Sequence, residues 1–582
     1  MKKRWILQTK QGDFQAVSKK YGISPVTARC MVNRGICSEE ETELYLRGGL
    51  GELHSPWLLK DMEKAVDLIR RNRGAKAAIA SDFDCDGIFS AVILKKGFER
   101  CGIESKIYTP DRVSEGYGLN RRIVDEAVRD GAGVLITCDN GIVANEEVLY
   151  AKEKGLVVII TDHHEVQNEI PAADAVVDPK QPDCYYPFDG LCGAGVAFQL
   201  IGALYEHEGI SSEEREEFLE YAAIATVADV MELRGENRLL VKEGLKRLRY
   251  TKENGLRALL EVQELAGKEI RAYHIGFIIG PCFNAAGRID TVKKAFALLF
   301  EEDYRRALKL AGELKEINDK RKQMTEEAAE RAFDILETSG KVENPVYLIY
   351  LPECHESLAG IVAGRIKEAY HHPVIVFTSV GEGLVKGSGR SIESYHMFEH
   401  LMQCKELMVK FGGHKMAAGM TLKEKDLPEL ERRLNENSEL CEKDFVPVLN
   451  IDVPLPVGHV SEGLIRDLEI LEPFGNGNPK PVFAEQHFRI LRARRLGKNA
   501  NVLKMKVANT AGAVIDAVYF DEIEPFEAII CDEWGQEELE KMYAGEENAV
   551  DLGLAYYPSV NEYGGMRTLQ IVVTDFCRIR GV

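Results

Sequence analysis

Three apolar runs in the first part of the chain each end in a polar, mostly acidic turn. AKAAIASDFDCDG carries Asp82, Asp84 and Asp86, VLITCDNG carries Asp139, and LVVIITDHH carries Asp162, His163 and His164. The runs are apolar on successive residues instead of alternate ones, the pattern of a strand buried on both faces. Helical stretches separate them: GIFSAVILKKGFERCG, RRIVDEAVRDGAG and ANEEVLYAKEKG. Such alternation predicts an α/β fold with a mostly parallel sheet covered on both faces. In these sheets the carboxyl ends of the strands share one edge, so the acidic turns converge there.

The convergence has chemical content. Gly87 permits the sharp entry into the helix that follows Asp82, Asp84 and Asp86. One acid would serve as a helix cap or a surface turn, but three repel one another unless cations neutralise them. Asp139 and His163 offer further ligands from neighbouring strand ends. Asp229, within the apolar AIATVADV, reads as a contributor inside a helix, where an acid needs a cation or a donor. Singly, each residue has a plain alternative as a cap, and the adjacent histidines as polar surface. Together they favour a pair of divalent ions. Imidazole shifts the preference toward Mn²⁺, with Mg²⁺ the alternative. Such a pair can hold a phosphoryl oxygen, lower the pKa of a bridging water and stabilise a leaving group. No GxxxxGK[ST] stretch is present, which argues against an ATP-driven motor.

At 582 residues the chain is too long for one core. Residues 1–70 read as a polar helical segment, 71–300 as the catalytic α/β domain, and 301–340 as an exposed connecting helix. Residues 341–445 read as a second, smaller α/β domain and 446–582 as a small β-barrel of short strands. Thirteen scattered cysteines without a CxxC pair suit reduced thiols, and no apolar run is long enough to span a bilayer. A cytoplasmic location and no membrane partner are expected. The net charge of −20 does not exclude nucleic acid, because a local basic groove governs phosphate binding.

The ordered set DFDCDG, CDNG, TDHH and ATVADV resembles the four motifs of the DHH phosphoesterase superfamily. Later segments, YTPDRVSEGYGLN, LCGAGVAFQL, GPCFNAAGRID, GSGRS, FGGHKMAAG and PFGNGNPKPVF, are similar to its RecJ branch, over residues 50 to 580. The resemblance implies a parallel-sheet DHH domain, a long linker helix, a DHHA1-like domain and a terminal OB-like barrel. It implies a 5′ to 3′ exonuclease on single-stranded DNA that yields 5′-mononucleotides in repair and recombination. A phosphodiesterase for short oligonucleotides or cyclic dinucleotides is the alternative, and a replication scaffold is argued against by the intact carboxylates. Implied partners are single-stranded DNA, a single-strand-binding protein and a repair helicase, and the implied state is a monomer.

Carried over residue by residue, one ion falls to Asp82, Asp84 and Asp139, the other to Asp86, Asp139, His163 and Asp229. His164 resembles the residue that contacts the scissile phosphate and assists the leaving group. Asn284 and Arg288 resemble the braces of that phosphate, and Arg112, Ser388 and Arg390 the pocket for the 5′ end. His355 and His414 resemble substrate-positioning residues. Tyr117 is suited to stacking on a base or to plain packing. Arg492, Arg494, Arg495 and Lys498 suit a strand tracking a DNA backbone, or a solvated barrel surface. On this reading the barrel guides long strands and is dispensable for cleaving very short ones. One departure stands out: ECHESLAGIVAGR places Cys354 where the family has an aromatic and Ser357 where it has a glycine.

Overall fold

The computed structural model describes residues 3–112, 114–167, 169–497, 500–563 and 565–579. A strand, β1 (Arg4–Leu7), precedes the helices Phe14–Tyr21, Pro25–Asn33 and Glu39–Arg47. Its presence, and the packing of these helices, depart from the separate helical segment expected over 1–70. Ile23, Ala28, Met31 and Tyr45 are buried in one core with the carboxyl-terminal strands. Each such large apolar side chain contributes ~1.5–3 kcal/mol when fully buried, enough to hold the two ends of the chain together.

The central sheet contains β2 (Lys76–Ser81), β3 (Ser105–Tyr108), β4 (Ala132–Cys138), β5 (Val157–Thr161) and β6 (Ala175–Val177). All are parallel, in the order β3-β2-β4-β5-β6. Register matters here. Ser81 lies opposite Cys138, Cys138 opposite Thr161, and Thr161 opposite Val177. The next residue on each strand is an aspartate, so Asp82, Asp139, Asp162 and Asp178 line one edge.

The helix Leu219–Ala228 ends immediately before Asp229, which caps it instead of interrupting it. The helix Tyr304–Thr338 spans the expected connection, but it is a half-buried spine and not an exposed linker. Its Ala307, Ala311, Leu314 and Ile317 join the core of the first lobe. Its Ala328, Ala329, Ala332 and Leu336 join a core with the second lobe. A charged composition concealed this, because small alanines carry the buried stripe.

The second lobe is a five-stranded sheet ordered β10-β11-β9-β8-β7. Its strands are β7 (Tyr347–Tyr350), β8 (Val374–Gly381), β9 (Leu384–Arg390), β10 (Met408–Gly413) and β11 (Ala417–Lys423). The chain then forms β12 (Val448–Ile451), which pairs in parallel with β1, and β13 (Val453–Pro454). The final strands are β14 (Phe483–Leu496), β15 (Val502–Asn509), β16 (Val514–Tyr519), β17 (Asp551–Tyr563) and β18 (Met566–Arg578). Pairing of β17 back onto β14 closes the barrel. Three of these strands run 13 or 14 residues, longer than the short strands expected. Two helices, Glu524–Trp534 and Gln536–Ala544, are inserted between β16 and β17. Among the described residues, no helix is long and apolar enough to cross a membrane.

Candidate metal centre and phosphate-binding cavity

The strand edge builds the site. Asp82 follows β2 and is fully buried, and neither of its carboxylate oxygens has a hydrogen-bond partner among the described residues. Asp84 caps the helix Cys85–Arg100, accepting from the amides of Asp86 (3.0 Å) and Gly87 (3.1 Å). Asp86, on the first turn, accepts from the amides of Gly193 (2.6 Å) and Ala194 (2.8 Å). Those amides begin the helix Gly193–Glu208, so the LCGAG motif is a carboxylate cradle. Asp139 follows β4 at φ +58°, a left-handed conformation that aspartate tolerates better than most residues. Its Oδ1 is 3.1 Å from His163 Nε2, while its Oδ2 is buried and unpartnered. The same Nε2 lies 3.5 Å from Asp86 and 3.8 Å from Asp229.

These atoms fall into compact sets. Ligand atoms of Asp82, Asp84 and Asp139 lie within 4.8 Å of one another, and so do those of Asp86, His163 and Asp229. A third set of the same compactness, Asp139, Asp162, His163 and His164, has a different explanation. Asp162 is already committed: it accepts from the amides of Ile142 (2.9 Å), His163 (2.7 Å) and His164 (3.2 Å), and from His164 Nδ1 (2.7 Å). It braces the histidines instead of offering a free ligand.

Electrostatics point the same way. Burial, and then the charge of Asp84, push the Asp82 carboxyl well up. Burial and the neighbouring Asp86 raise Asp139 and Asp229, the latter to about 8. Burial and His164 push His163 down to about 3, leaving a neutral imidazole. So many buried carboxyls cannot all ionise without added positive charge. The unpartnered oxygens of Asp82 and Asp139, with a neutral imidazole beside Asp139, fit divalent cations of the Mn²⁺ or Mg²⁺ kind.

A cavity of about 580 Å³ opens on this cluster. Its walls include Phe83, Asp84, Asp86, Tyr117 and Asp229, with Arg112, Asn284, Arg288, Lys386 and Arg390. Arg112 stacks its guanidinium 4.6 Å from the Phe83 ring centre. Asn284 uses its Oδ1 to accept from the Cys85 amide (2.9 Å), which helps to cap the acidic turn. Arg288 is half-buried, and desolvation together with Arg112 lowers its pKa to about 10. Its Nη1 donates to the Ser357 carbonyl (2.8 Å), and Ser357 Oγ donates back to the Arg288 carbonyl (3.0 Å). Ser357 Oγ also lies 2.8 Å from His355 Nδ1. The departure at Ser357 thus ties the second lobe to the arginine of the first. A Cβ at Gly360 would come within 2.7 Å of both Ser388 Oγ and an Arg390 Nη. That glycine begins the helix Ala359–Tyr370 and lets its amino end approach both side chains.

Profiles of known families match three stretches: "DHH family, N-terminal domain" over residues 76–226, "DHHA1 domain" over 344–439 and "RecJ OB domain" over 451–575. The single-stranded-DNA-specific exonuclease RecJ of Bacillus subtilis is 36% identical over 535 residues, covering 91% of this chain and 67% of that protein. The protein of the same name from Escherichia coli is 33% identical, covering 95% and 96%. The chain belongs to the RecJ family. A RecJ from Thermus thermophilus, solved in complex with Mn²⁺, superposes with a TM-score of 0.82 at 28% identity, covering 100% of this chain and 80% of that one.

The remaining residues expected of a RecJ-like site divide. Tyr117 donates its hydroxyl to the Asp139 carbonyl (2.8 Å) and meets His164 Nε2 at 3.2 Å, with half its surface exposed. It is part of the centre and not only a stacking surface. His414 is exposed at the turn between β10 and β11, outside the cavity wall. Arg492 and Arg494 project from β14 into solvent without an ion pair among the described residues. Arg495, expected as a DNA contact, is paired here with Glu527 (2.6 Å) and Glu524 (3.5 Å). Lys498 lies outside the described residues. Sequence reasoning missed Lys386, which alternation on β9 places on the same face as Ser388 and Arg390. It also missed Asp162 as a brace, which only the surrounding amides reveal.

Proposed function

We propose that the chain is a divalent-metal-dependent exonuclease that hydrolyses single-stranded DNA from its 5′ end to 5′-mononucleotides, in repair and recombination. The observation that carries the reading is one cavity joining a buried acid and histidine cluster to a cationic wall drawn from both lobes. Relatives named for single-stranded-DNA-specific exonuclease activity, and RecJ structures with Mn²⁺ and with Mg²⁺, support it.

Two ions, Mn²⁺ or Mg²⁺, would be held by Asp82, Asp84 and Asp139 and by Asp86, Asp139, His163 and Asp229. When bound, such ions supply Lewis-acid polarisation of a phosphoryl oxygen and an activated water. The chain supplies the rest. Arg288 and the Nδ2 of Asn284 brace the scissile phosphate, and a desolvated guanidinium suits that anion. An ionised Asp162 can only accept, so His164 Nδ1 donates to it and the ring is fixed. Nε2 then holds the proton exchange at the leaving oxygen. Arg112, Ser388 and Arg390, with Lys386 and the amino end of the helix Ala359–Tyr370, receive the terminal phosphate. Tyr117 offers its exposed ring to the terminal base, His355 orients the Ser357 link, and His414 meets phosphate further out. Arg492, Arg494 and Lys498 contact the incoming backbone.

A single-strand-binding protein and a repair helicase are the partners such an activity calls for, with the chain itself a monomer. The test is a time course on 5′-labelled and 3′-labelled single strands with duplex, RNA and short-oligonucleotide controls. Mononucleotide as the first product from the 5′ label is expected. Cleavage confined to dinucleotides or cyclic dinucleotides would replace this reading with the phosphodiesterase one.

A further inference from the structure

The PFGNGNP stretch of the barrel domain, residues 473–479, has no part in the chemistry described so far. It nevertheless reaches the turn that leaves the metal centre. Val230, directly after Asp229, lies at φ +58°. A β-branched residue in that region is an outlier that persists only where its surroundings over-determine it. Its side chain is 64% exposed, so burial does not offset the strain. Helix-end bonds from the amides of Val230 and Met231 to the carbonyls of Val227 (3.2 Å) and Thr226 (3.1 Å) hold one side of the turn.

The barrel loop holds the other side. Asn476 Nδ2 donates to the Val230 carbonyl (2.8 Å), the Leu233 amide donates to the Asn476 carbonyl (2.8 Å), and Arg234 Nε donates to the Gly477 carbonyl (2.8 Å). The loop's glycines are fitted to this turn. A Cβ at Gly475 would come within 2.7 Å of Leu233 Cδ1, and one at Gly477, itself at φ +70°, within 2.9 Å of Glu232 Cβ. The loop is anchored behind by Asn478, which is 1% exposed. It donates to the carbonyls of Leu471 and Pro473 and accepts from Arg34 Nε (2.8 Å) and Tyr45 Oη (3.1 Å).

We infer that this loop, through Asn476, is a positioning element for Asp229, fixing the turn at Val230 and with it the carboxylate beside Asp86 and His163. The barrel domain then acts on the metal centre itself and not only on the incoming strand. The inference rests on the reading of Asp229 as a cation-holding residue.

The test is Mn²⁺ binding to the full chain by calorimetry, with thermal unfolding to verify each variant. Asn476→Ala should weaken the affinity for one of two ions by roughly 10-fold or more, the usual effect of losing a group that orients a ligand. Adding Val230→Gly to Asn476→Ala should restore it, since glycine adopts the left-handed turn without strain. A general loss of stability would not be rescued in that way. Wild-type affinity for both ions in folded Asn476→Ala overturns the inference, and failure of the glycine to restore a lost affinity overturns its strain-based mechanism. Asp229→Ala, measured in parallel, separates the two readings. If it also keeps both ions, the assignment of Asp229 itself falls. If it loses one while Asn476→Ala loses none, only the positioning role falls. Should Asn476→Ala not fold, Asn476→Asp replaces the donor at the same size and is judged by the same criterion.

Discussion

Gly193→Ala adds a single methyl group where β4, the acidic turn and the helix Gly193–Glu208 meet. Its Cβ would stand 2.6 Å from Asp139 Cβ, 2.9 Å from Asp139 Cα and 3.1 Å from Asp86 Oδ2. Carbon atoms pack at about 3.5–4.0 Å, so the shortfall is about 1 Å. No side-chain rotation can supply it, because the obstructing atoms belong to the backbone and Cβ of Asp139. Displacing the helix instead would pull its first amides from the Asp86 carboxylate, which they hold at 2.6 and 2.8 Å. Overpacking costs ~1–3 kcal/mol. Better helix propensity offsets at most ~1 kcal/mol of that.

The chain should therefore fold with a melting point lowered by a few degrees. A misplacement near 1 Å can cost ~10²-fold in rate, and that is the expected fall in Mn²⁺-dependent turnover on a 5′-labelled single strand. Gly195→Ala is the control. Its Cβ would meet Leu191 first, at 3.2 Å from Cδ2 and 3.3 Å from Cβ, with neither carboxylate as near, so turnover should stay within about 10-fold of wild type. Wild-type turnover in folded Gly193→Ala would refute the claim that close packing at this junction sets the geometry of Asp139 and Asp86.

Asp139→Ala should lower Mn²⁺-dependent turnover by several orders of magnitude while raising the melting point in chelator, because it removes a buried carboxyl from among like charges. Melting curves with and without Mn²⁺ check both halves. Arg492→Ala combined with Arg494→Ala should weaken single-strand binding at low salt and flatten the dependence of log Kd on log salt by about 1.4, the value for two phosphate contacts on a single strand. Arg495→Ala, which breaks only the pairing with Glu524 and Glu527, should leave that slope unchanged in the same titration. Removal of residues 446–582 should lower cleavage of short as well as long strands at limiting Mn²⁺, measured as nucleotide release, since the loop at 473–479 is lost with the barrel. Short-strand cleavage at the full rate by a folded truncation would restore the barrel to a guide alone.

The metal-site strands were legible because a strand buried on both faces reads as a continuous apolar run, and its end is marked where the first carboxylate appears. Helix ends were less legible. The sequence offers no Gly or Pro from Asp229 to Arg234, and the residue that turns left-handed is Val230, the type least expected there. Asp229 therefore reads as internal to a helix that has already ended. The pairing of β1 with β12 joins segments more than 400 residues apart, and a four-residue, mostly exposed strand with so distant a partner leaves no local periodicity. The pairing of Arg495 was hidden for a related reason: Glu527 lies on another element, and a basic cluster in sequence shows only its own sign.

Conversely, Ser357 shows a departure gaining meaning only in three dimensions. Its reciprocal bonds with Arg288 join the lobe that carries the proposed terminal-phosphate pocket to the lobe that carries the carboxylates. The spine helix Tyr304–Thr338, buried in the cores of both, makes the same connection at larger scale. An enzyme that measures a product of fixed length needs a fixed distance between the pocket that holds the end and the atoms that cut. A flexible linker between lobes would blur that distance, because each turn of an exposed helix can bend at little cost. A helix anchored in both cores resists such bending, and a serine of the second lobe that bonds to Arg288 of the first adds a second tie between them.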